Sequence, residues 1–592
     1  MGSKRDKLIY GPEDVPPWYM CILLGTQHFL TCLGSTVAIP LVLAPAFCLG
    51  DDAKSNLAKS YLMSTLFVGS GICTFIQATF GNRLPILQGG TFSFLGPTFA
   101  LMAIPAFSCD NKKLVQYATN NGGIQIITFD ETWKRRVREV QGAIISASLV
   151  EFFIGLTGLI GVLLSFITPL TIAPVIALVG LSLFQPAADM SASCWPISII
   201  TIGFMVLFSQ YLREVKTPVP YFKIKERKFE VKKLPVFKVF PVLLALIISW
   251  GLCGILTAAA NGNSPGMENF SNYSHFWYQA RTDTKTQVID DAPWFRFVYP
   301  FQWGWPTFSV AGFVGLLSGV FAGMLESIGD YYAAADISEV PPPPVHAINR
   351  GIMMEGLACI IDGILGSGNG TTTYSENIST LSITRCASRR MIQTAALILF
   401  ILGFFGKFTA FFVTLPNPVI GGVYFVMFGL IVGVGISNLK HVNLSSSRNV
   451  FIFGFSLFSG IALKYWSEKP ETKISTGSAN GDQILSVLLS TAPFIGGLFA
   501  IILDNTIPGT RKERGLDAWA QKGEAEDLQD IPGMETYDIP WLRRITNLSF
   551  MKYVPISPAF KGGSNDWTRK VCPCTQQVDD DEITEKIQST DL

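Results

Sequence analysis

Between Trp18 and Ile507 the chain returns repeatedly to runs of about twenty residues that are rich in Leu, Ile, Val, Phe and Gly and almost free of charge. A run of that length matches the hydrocarbon core of a bilayer. Inside lipid every backbone N–H and C=O must find its partner within the protein, so such a run folds as a helix. Roughly fourteen spans of that length fit the sequence. Composition agrees, since 49% of residues are hydrophobic and 15% charged, more apolar than a soluble domain. The expected fold class is an all-α polytopic membrane protein. A net charge of +1 gives no reason to expect a nucleic-acid partner. No metal-ligand spacing, activated nucleophile or cofactor fingerprint occurs, so neither an enzyme nor a cofactor is expected.

The stretch 326–385 breaks the apolar pattern most sharply, because it sets Glu326 and Glu376 in segments otherwise suited to hydrocarbon. An ionisable side chain at membrane depth is costly, and it usually faces a cavity or partner on a substrate or ion path. Glu326 and Asp330 stand four residues apart in GVFAGMLESIGDYYAAAD, on one face of a helix. Glu376 lies in GSGNGTTTYSENISTLSITR, too rich in Gly, Thr, Ser and Asn for an unbroken span, which predicts extended backbone leading into a short helix. Leu84 begins a similar stretch, LPILQGGTFSFLGPTFALMAIPAF, so this third span is expected to be broken as well.

The expected organisation is an N-terminus at 1–17, a transporter-like membrane domain at 18–507 and a C-terminal tail from 508 to 592. The tail is charged and without apolar periodicity, which predicts a flexible segment. The N-terminus has no apolar core before a small-residue site, so no cleaved signal is expected. Spans are expected at about 18–43, 59–80, 84–107, 142–167, 169–184 and 195–212, with a polar loop over 109–140. The following loop, REVKTPVPYFKIKERKFEVKK, is short and basic, which places it and the N-terminus, six spans apart, in the cytoplasm. The loop after span 7 then lies outside, and it carries glycosylation sequons at Asn269 and Asn272. Lys134, Arg135, Arg136 and Arg138 oppose this count. Four prolines at 341–344 predict a rigid extended hinge. Later spans are expected at about 351–365, 391–415, 419–436, 450–466 and 484–507.

Two short matches suggest an internal repeat. Gly90-Thr91-Phe92-Ser93-Phe94 resembles Gly370-Thr371-Thr372-Thr373-Tyr374, and Ala173-Pro174-Val175-Ile176 resembles Asn417-Pro418-Val419-Ile420. Members of each pair are seven spans apart. An odd offset inverts orientation, so two broken spans should meet near the midplane, where secondary transporters build their sites. Of the eleven Cys, most lie in spans (Cys21, Cys32, Cys73, Cys253, Cys359) and read as small hydrophobes. Cys572 and Cys574 form a lone C-P-C, a weak metal signal or a palmitoylation candidate.

Together these residues resemble the nucleobase–ascorbate transporter family over nearly the whole chain. The resemblance rests on Gln27-His28, QGGTFSF from Gln88, ESIGDYY from Glu326, PPPPVHAINRG from Pro341 and ENISTLSITR from Glu376. The last matches the family signature except at Ser379, where the family has Gly. The resemblance implies a seven-plus-seven inverted repeat with broken spans 3 and 10. It divides the membrane domain into a core (about 18–167 and 310–415) and a gate (about 168–309 and 416–507), with elevator-like movement and a homodimer. It implies substrate binding by Glu326 and Glu376, with Ser375 offering backbone groups and Ser93 with Phe94 forming the opposing wall. Asp330 would serve the coupling ion, sodium, and Gln27, His28, Asn377, Thr384 and Arg385 would be supporting polar residues.

The chemistry of the residues agrees. A nucleobase presents N–H donors and carbonyl acceptors in one plane, to which carboxylates and backbone amides are complementary. Ascorbate is an anion that two carboxylates would repel. Ascorbate-carrying relatives show Pro-Asn at the signature start, nucleobase carriers Gln or Glu, and here it is Glu376. The overall sequence nevertheless looks closest to animal ascorbate-type members. The expected function is a plasma-membrane sodium–nucleobase symporter with both termini cytoplasmic. A sodium–ascorbate symporter is the alternative, and an anion exchanger or channel is disfavoured by the site carboxylates. The ending Ser589-Thr590-Asp591-Leu592 fits a PDZ-domain partner at Thr590 to Leu592.

Overall fold

A computed structural model describes residues 8–107, 109, 129–223, 228–262, 268–272, 275–469, 472, 474–510, 512–515, 533–539 and 554–558. We number the long helices and the two half-helices in chain order. The first group is α1 (Trp18–Leu43), α2 (Ala53–Phe80), β1 (Gln88–Gly90), α3 (Leu95–Met102) and α4 (Phe129–Thr157), followed by α5 (Pro169–Leu181), α6 (Trp195–Val206), β2 (Thr217–Lys223), β3 (Lys228–Leu234) and α7 (Pro241–Asn261). The second half holds α8 (Val310–Ile337), α9 (Val345–Leu365), β4 (Thr371–Thr373), α10 (Ser375–Thr384), α11 (Arg389–Phe404), α12 (Asn417–Ser437), α13 (Ser447–Ser467), α14 (Ala479–Ser490) and α15 (Ala492–Thr506). Among the described residues eight helices are long and apolar enough to cross a membrane, and the pair α14–α15, bent by 81°, would make nine. Of the other expected spans, 351–365 lies in α9, an unbroken helix that carries Arg350, Glu355 and Asp362, and others are built from shorter pieces, including the two strand-and-helix segments at β1–α3 and β4–α10.

Packing sorts the helices into two groups. In one, α4 packs on α9 and α8, α2 on α11 and α9, and α1 on α11. In the other, α5 packs on α12, α13 and α15, while α6 packs on α12 and α7. Lipid offers no hydrophobic drive between helices, so close backbone approach carries these contacts. At Gly356 an added Cβ would lie 2.5 Å from Phe152 N, and at Gly435 2.4 Å from Ala177 N, so bulkier residues would force α9 off α4 and α12 off α5.

Several expectations change. The fourth span starts at Phe129, not near 142, and its basic residues are paired locally. Lys134 bonds Asp130 at 3.2 Å, Arg138 pairs with Glu131, and Arg136 donates to Phe107 O at 2.7 and 3.0 Å. The basic loop is an antiparallel hairpin, Thr217 opposite Leu234 through Lys223 opposite Lys228. The Cys21, Cys32, Cys73, Cys253 and Cys359 thiols are free and buried, but Cys48 and Cys109 form a disulfide. It joins the loop after α1 to the end of the third span, on the face that the count places outside, where disulfides persist. The described part of the tail is docked, with Thr536 and Tyr537 buried against the protein. Cys572, Cys574 and the residues 589–592 lie outside the described residues.

Candidate functional site

The site grows from the two broken spans. Their strands pair antiparallel, Gln88 opposite Thr373, Gly89 opposite Thr372 and Gly90 opposite Thr371. Flanking bonds extend the pair, Thr91 N to Gly370 O and Tyr374 N to Leu87 O, both at 3.0 Å. Only glycine admits this crossing at position 89, where a Cβ would lie 2.2 Å from the Tyr374 ring. Each strand then turns into a short helix. The Thr91 hydroxyl accepts from Ser93 N at 3.2 Å and opens the 3-10 turn Phe92–Phe94 that leads into α3. Tyr374 precedes α10 in extended conformation. Both half-helices therefore start beside the crossing, and the positive ends of their dipoles face the same space.

The α8 helix supplies the carboxylates, because residues 326, 327 and 330 share one face. Ser375 Oγ donates to Asp330 Oδ1 at 2.8 Å and reaches Oδ2 at 3.0 Å, and Thr373 Oγ1 donates to Oδ2 at 2.8 Å. Asp330 is 8% exposed, so these hydroxyls replace water around it. Ser93 Oγ lies 3.5 Å from Glu326 Oε2. Glu326, Ser375 and Glu376 line a cavity of about 330 Å³ between the two helix groups, with Phe92 from the third span and Thr31 and Ser35 from α1. A wider space of about 650 Å³ shares Glu326 and Ser375, adds Asp330, and runs to the molecular end that bears Asn438 and Lys440. Among the described residues no Lys, Arg or His forms an ion pair with Glu326, Asp330 or Glu376. Arg213 and Lys238 also line the smaller cavity.

The remaining expected residues divide. Asn377 Nδ2 sits 3.1 Å from His28 Nδ1 and donates to His28 O at 3.0 Å, so this buried pair ties α10 to α1. Gln27 is half-buried beside it, its carbonyl accepting from Thr31. Thr384 bonds back to Thr380 O, and Arg385 ends α10 in the left-handed region at φ 53°, both at the helix end away from the crossing. Phe94 is enclosed between Gly319 and Gly370 and does not line the cavity; Phe92 does. Asn269 and Asn272 are exposed.

One polar layer escaped the sequence reading. Glu355 on α9 is buried, accepts from Ser327 Oγ at 2.6 Å and from Tyr331 O–H at 3.0 Å, and Gln77 Nε2 donates to that phenol oxygen at 2.7 Å. Ser327 also stands 3.1 Å from Thr373 Oγ1, so the layer is continuous with Asp330. A glutamate in an apolar span was the available signal. At the opposite end from Asn438 and Lys440, Asp51 joins the two groups. Its carboxylate meets Lys59 at 2.9 Å and Lys285 at 3.0 Å and accepts from Asn417 Nδ2, at the start of α12, at 3.0 Å. Burial pushes the Asp51 carboxyl up, but Lys285 and Lys59 outweigh it and hold it well below the ordinary carboxylate range.

Comparison with known proteins fixes the family. The Permease family model, Xan_ur_permease, matches residues 20–469. Solute carrier family 23 member 2 of Rattus norvegicus is 47% identical, the match covering 95% of this chain and 84% of that protein. The chain belongs to the nucleobase–ascorbate transporter family. Solute carrier family 23 member 1 of Rattus norvegicus is 45% identical over 94% of the chain and 90% of its own length. The Arabidopsis thaliana protein named nucleobase-ascorbate transporter 1 is 33% identical over 87% and 92%. The protein is thus a multi-pass membrane transporter of the solute carrier family 23 type.

Proposed function

We propose that the protein is a sodium-coupled symporter that imports nucleobases, uracil or purine bases, across the plasma membrane. The observation that carries this reading is the pair of carboxylates, Glu326 and Glu376, facing one cavity without an ion-paired cation among the described residues. A neutral ring with adjacent N–H donors satisfies such acceptors, while the backbone donors that open α10 suit its carbonyls. Asp330, held by two hydroxyls beside this cavity, offers the anionic oxygen that a hard cation prefers. In this reading fourteen spans divide into a core (18–167 and 310–415) and a gate (168–309 and 416–507), the two packing groups described above. The core carries both broken spans and slides against the gate like an elevator. Both termini and the basic hairpin lie in the cytoplasm, the cavity opens inward, and glycans attach at Asn269 and Asn272. The homodimer and a PDZ-domain partner at the C-terminus belong to the same reading.

Sodium–ascorbate symport is the second reading, favoured by Arg213 and Lys238 in the cavity wall, which would attract an anion. Uptake of radiolabelled uracil, hypoxanthine and ascorbate in one cell line, with and without sodium, separates the two. Sodium-dependent accumulation of a base without ascorbate is the expected result; accumulation of ascorbate alone would replace the first reading with the second.

A further inference from the structure

One stripe of α12 meets the core over its outer half and lines the cavity over its inner half. Asn417, Tyr424, Phe428 and Ile431 follow one another at intervals of seven, four and three residues, which places them on one face of the helix. The helix itself is held by the gate, packed on α5 and α6. This stripe is therefore a surface that the gate presents to the core.

The three outer positions meet the core through three different contacts. In the first turn the Asn417 amide uses both of its ends. Its Nδ2 donates to Asp51 Oδ2 at 3.0 Å and its Oδ1 accepts from Lys285 Nζ at 2.7 Å, while Lys59 of α2 meets Asp51 Oδ1 at 2.9 Å. Two turns further in, Tyr424 is 0% exposed and donates its hydroxyl to Ala38 O of α1 at 2.7 Å. One turn below, Phe428 stacks on Tyr424 with ring centroids 5.5 Å apart and meets Phe92 of the third span at 5.7 Å and 80°. The helix rises about 16 Å from Asn417 to Phe428. Phe92 lines the cavity, so its contact with Phe428 forms a roof, and Ile431 and Val434, next along α12, line the space beneath. Asp51, Ala38 and Phe92 come from three places in the core, yet each faces α12, so any sliding of core past gate separates all three pairs at once. A buried phenol that loses its acceptor opposes that step.

We propose that this stripe is the outer barrier of the carrier. An ion cluster, one buried hydrogen bond and a ring contact, layered above the cavity, hold the inward-open state and part together before the cavity opens outward. The barrier rests on the core-against-gate movement of the reading above.

The test uses the full chain with Ile431→Cys, which puts a thiol just beneath the ring layer. The free thiols of the described residues are buried and Cys48 is bonded to Cys109. A membrane-impermeant maleimide applied to intact cells therefore reports outward opening of the cavity, once labelling of the chain without the reporter is subtracted. Per surface molecule, Tyr424→Phe, which keeps the ring stack and removes only the bond to Ala38, should raise labelling about twofold, and adding Asp51→Asn should raise it at least about fourfold. The opposite arm holds the barrier shut in a chain without the reporter. Asp51→Cys and Asn417→Cys, joined by a bifunctional methanethiosulfonate, should cut uptake at least about fivefold, with recovery on reduction, while each single Cys variant taken through the same reagents keeps its uptake. Unchanged labelling in both Tyr424→Phe and the double variant, or full uptake with positions 51 and 417 shown by mass to be joined, would overturn the barrier. If sodium with uracil and sodium with ascorbate both leave labelling of the Ile431→Cys chain unaltered, the sliding itself is absent, and the barrier falls together with the transport reading.

Discussion

The two broken spans are built alike and do different work. Residues 88–102 and 371–384 each provide three strand residues and a half-helix, joined by a 3-10 turn in the first and by the extended Tyr374 in the second, and each points a helix N-terminus at the crossing. The third-span arm presents Phe92 to the cavity, keeps Ser93 at the edge of reach of Glu326, and carries no charge. The tenth-span arm puts Glu376 on the cavity, Ser375 on Asp330 and Asn377 on His28. Pseudo-symmetric backbone therefore supplies two similar dipoles, while the charged and hydrogen-bonding side chains at the crossing come mainly from one arm and from α8. A twofold scaffold fixes position and leaves side chains free to diverge.

That asymmetry can be broken from either arm. Glu376→Pro should have the largest effect, abolishing nucleobase uptake at normal surface level. Residue 376 lies in the first turn of α10, where proline is tolerated, so the loss reports the carboxylate together with the backbone N–H that proline also lacks; retained uptake would remove Glu376 from the binding set. Glu326→Gln keeps shape and trades an acceptor for a donor, and affinity for the base should fall at least about tenfold, as a charge-assisted bond contributes roughly 1.5–3 kcal/mol. Unchanged affinity in a saturation curve would refute that role. Asp330→Asn should raise the sodium concentration for half-maximal uptake by about fivefold, because a hard cation prefers anionic to amide oxygen, with a smaller change in substrate affinity at saturating sodium. Equal shifts in both would make Asp330 a general support. On the other arm, Ser93→Ala should change affinity by no more than about threefold, since its contact with Glu326 is long and a neutral bond contributes about 1 kcal/mol; a tenfold loss would make the arms equivalent.

The smallest effect is expected at Asp51, which joins the two groups. Asp51 is shifted below its unfolded value, so its contribution is present above the ordinary carboxylate range and is lost only as pH falls through the lower folded value. Asp51→Asn should thus lower the apparent Tm of the solubilised protein by about 1–2 °C, equally at about pH 5 and about pH 8. A difference confined to the higher pH would show that the folded carboxyl titrates between the two pH values, raised rather than lowered.

Much of the site was legible because its signal is local. Glutamate in an apolar run, glycine at a crossing and four-residue spacing on a helix need no knowledge of neighbours, and Glu326, Asp330, Ser375 and Glu376 come together as their segments suggest. Phe92 and Phe94 were harder. In a strand they would share a face, but the chain forms a 3-10 turn there, where residues two apart point in different directions. Phe92 thus reaches the cavity while Phe94 is enclosed.

The sequence by itself determined the membrane class, the position of most spans, the two interrupted segments and the carboxylates, since each follows from hydrophobic length or backbone propensity along a short stretch. Tertiary structure alone decided that Cys48 meets Cys109, that Glu355 joins the polar layer through Ser327, that Asp51 reaches Asn417, and that Arg83, Arg350 and Arg389 converge on Thr536 and Tyr537. These contacts join residues far apart in the chain. Their energy exists only when two packed groups bring the partners within a few ångströms, and no local pattern records that distance.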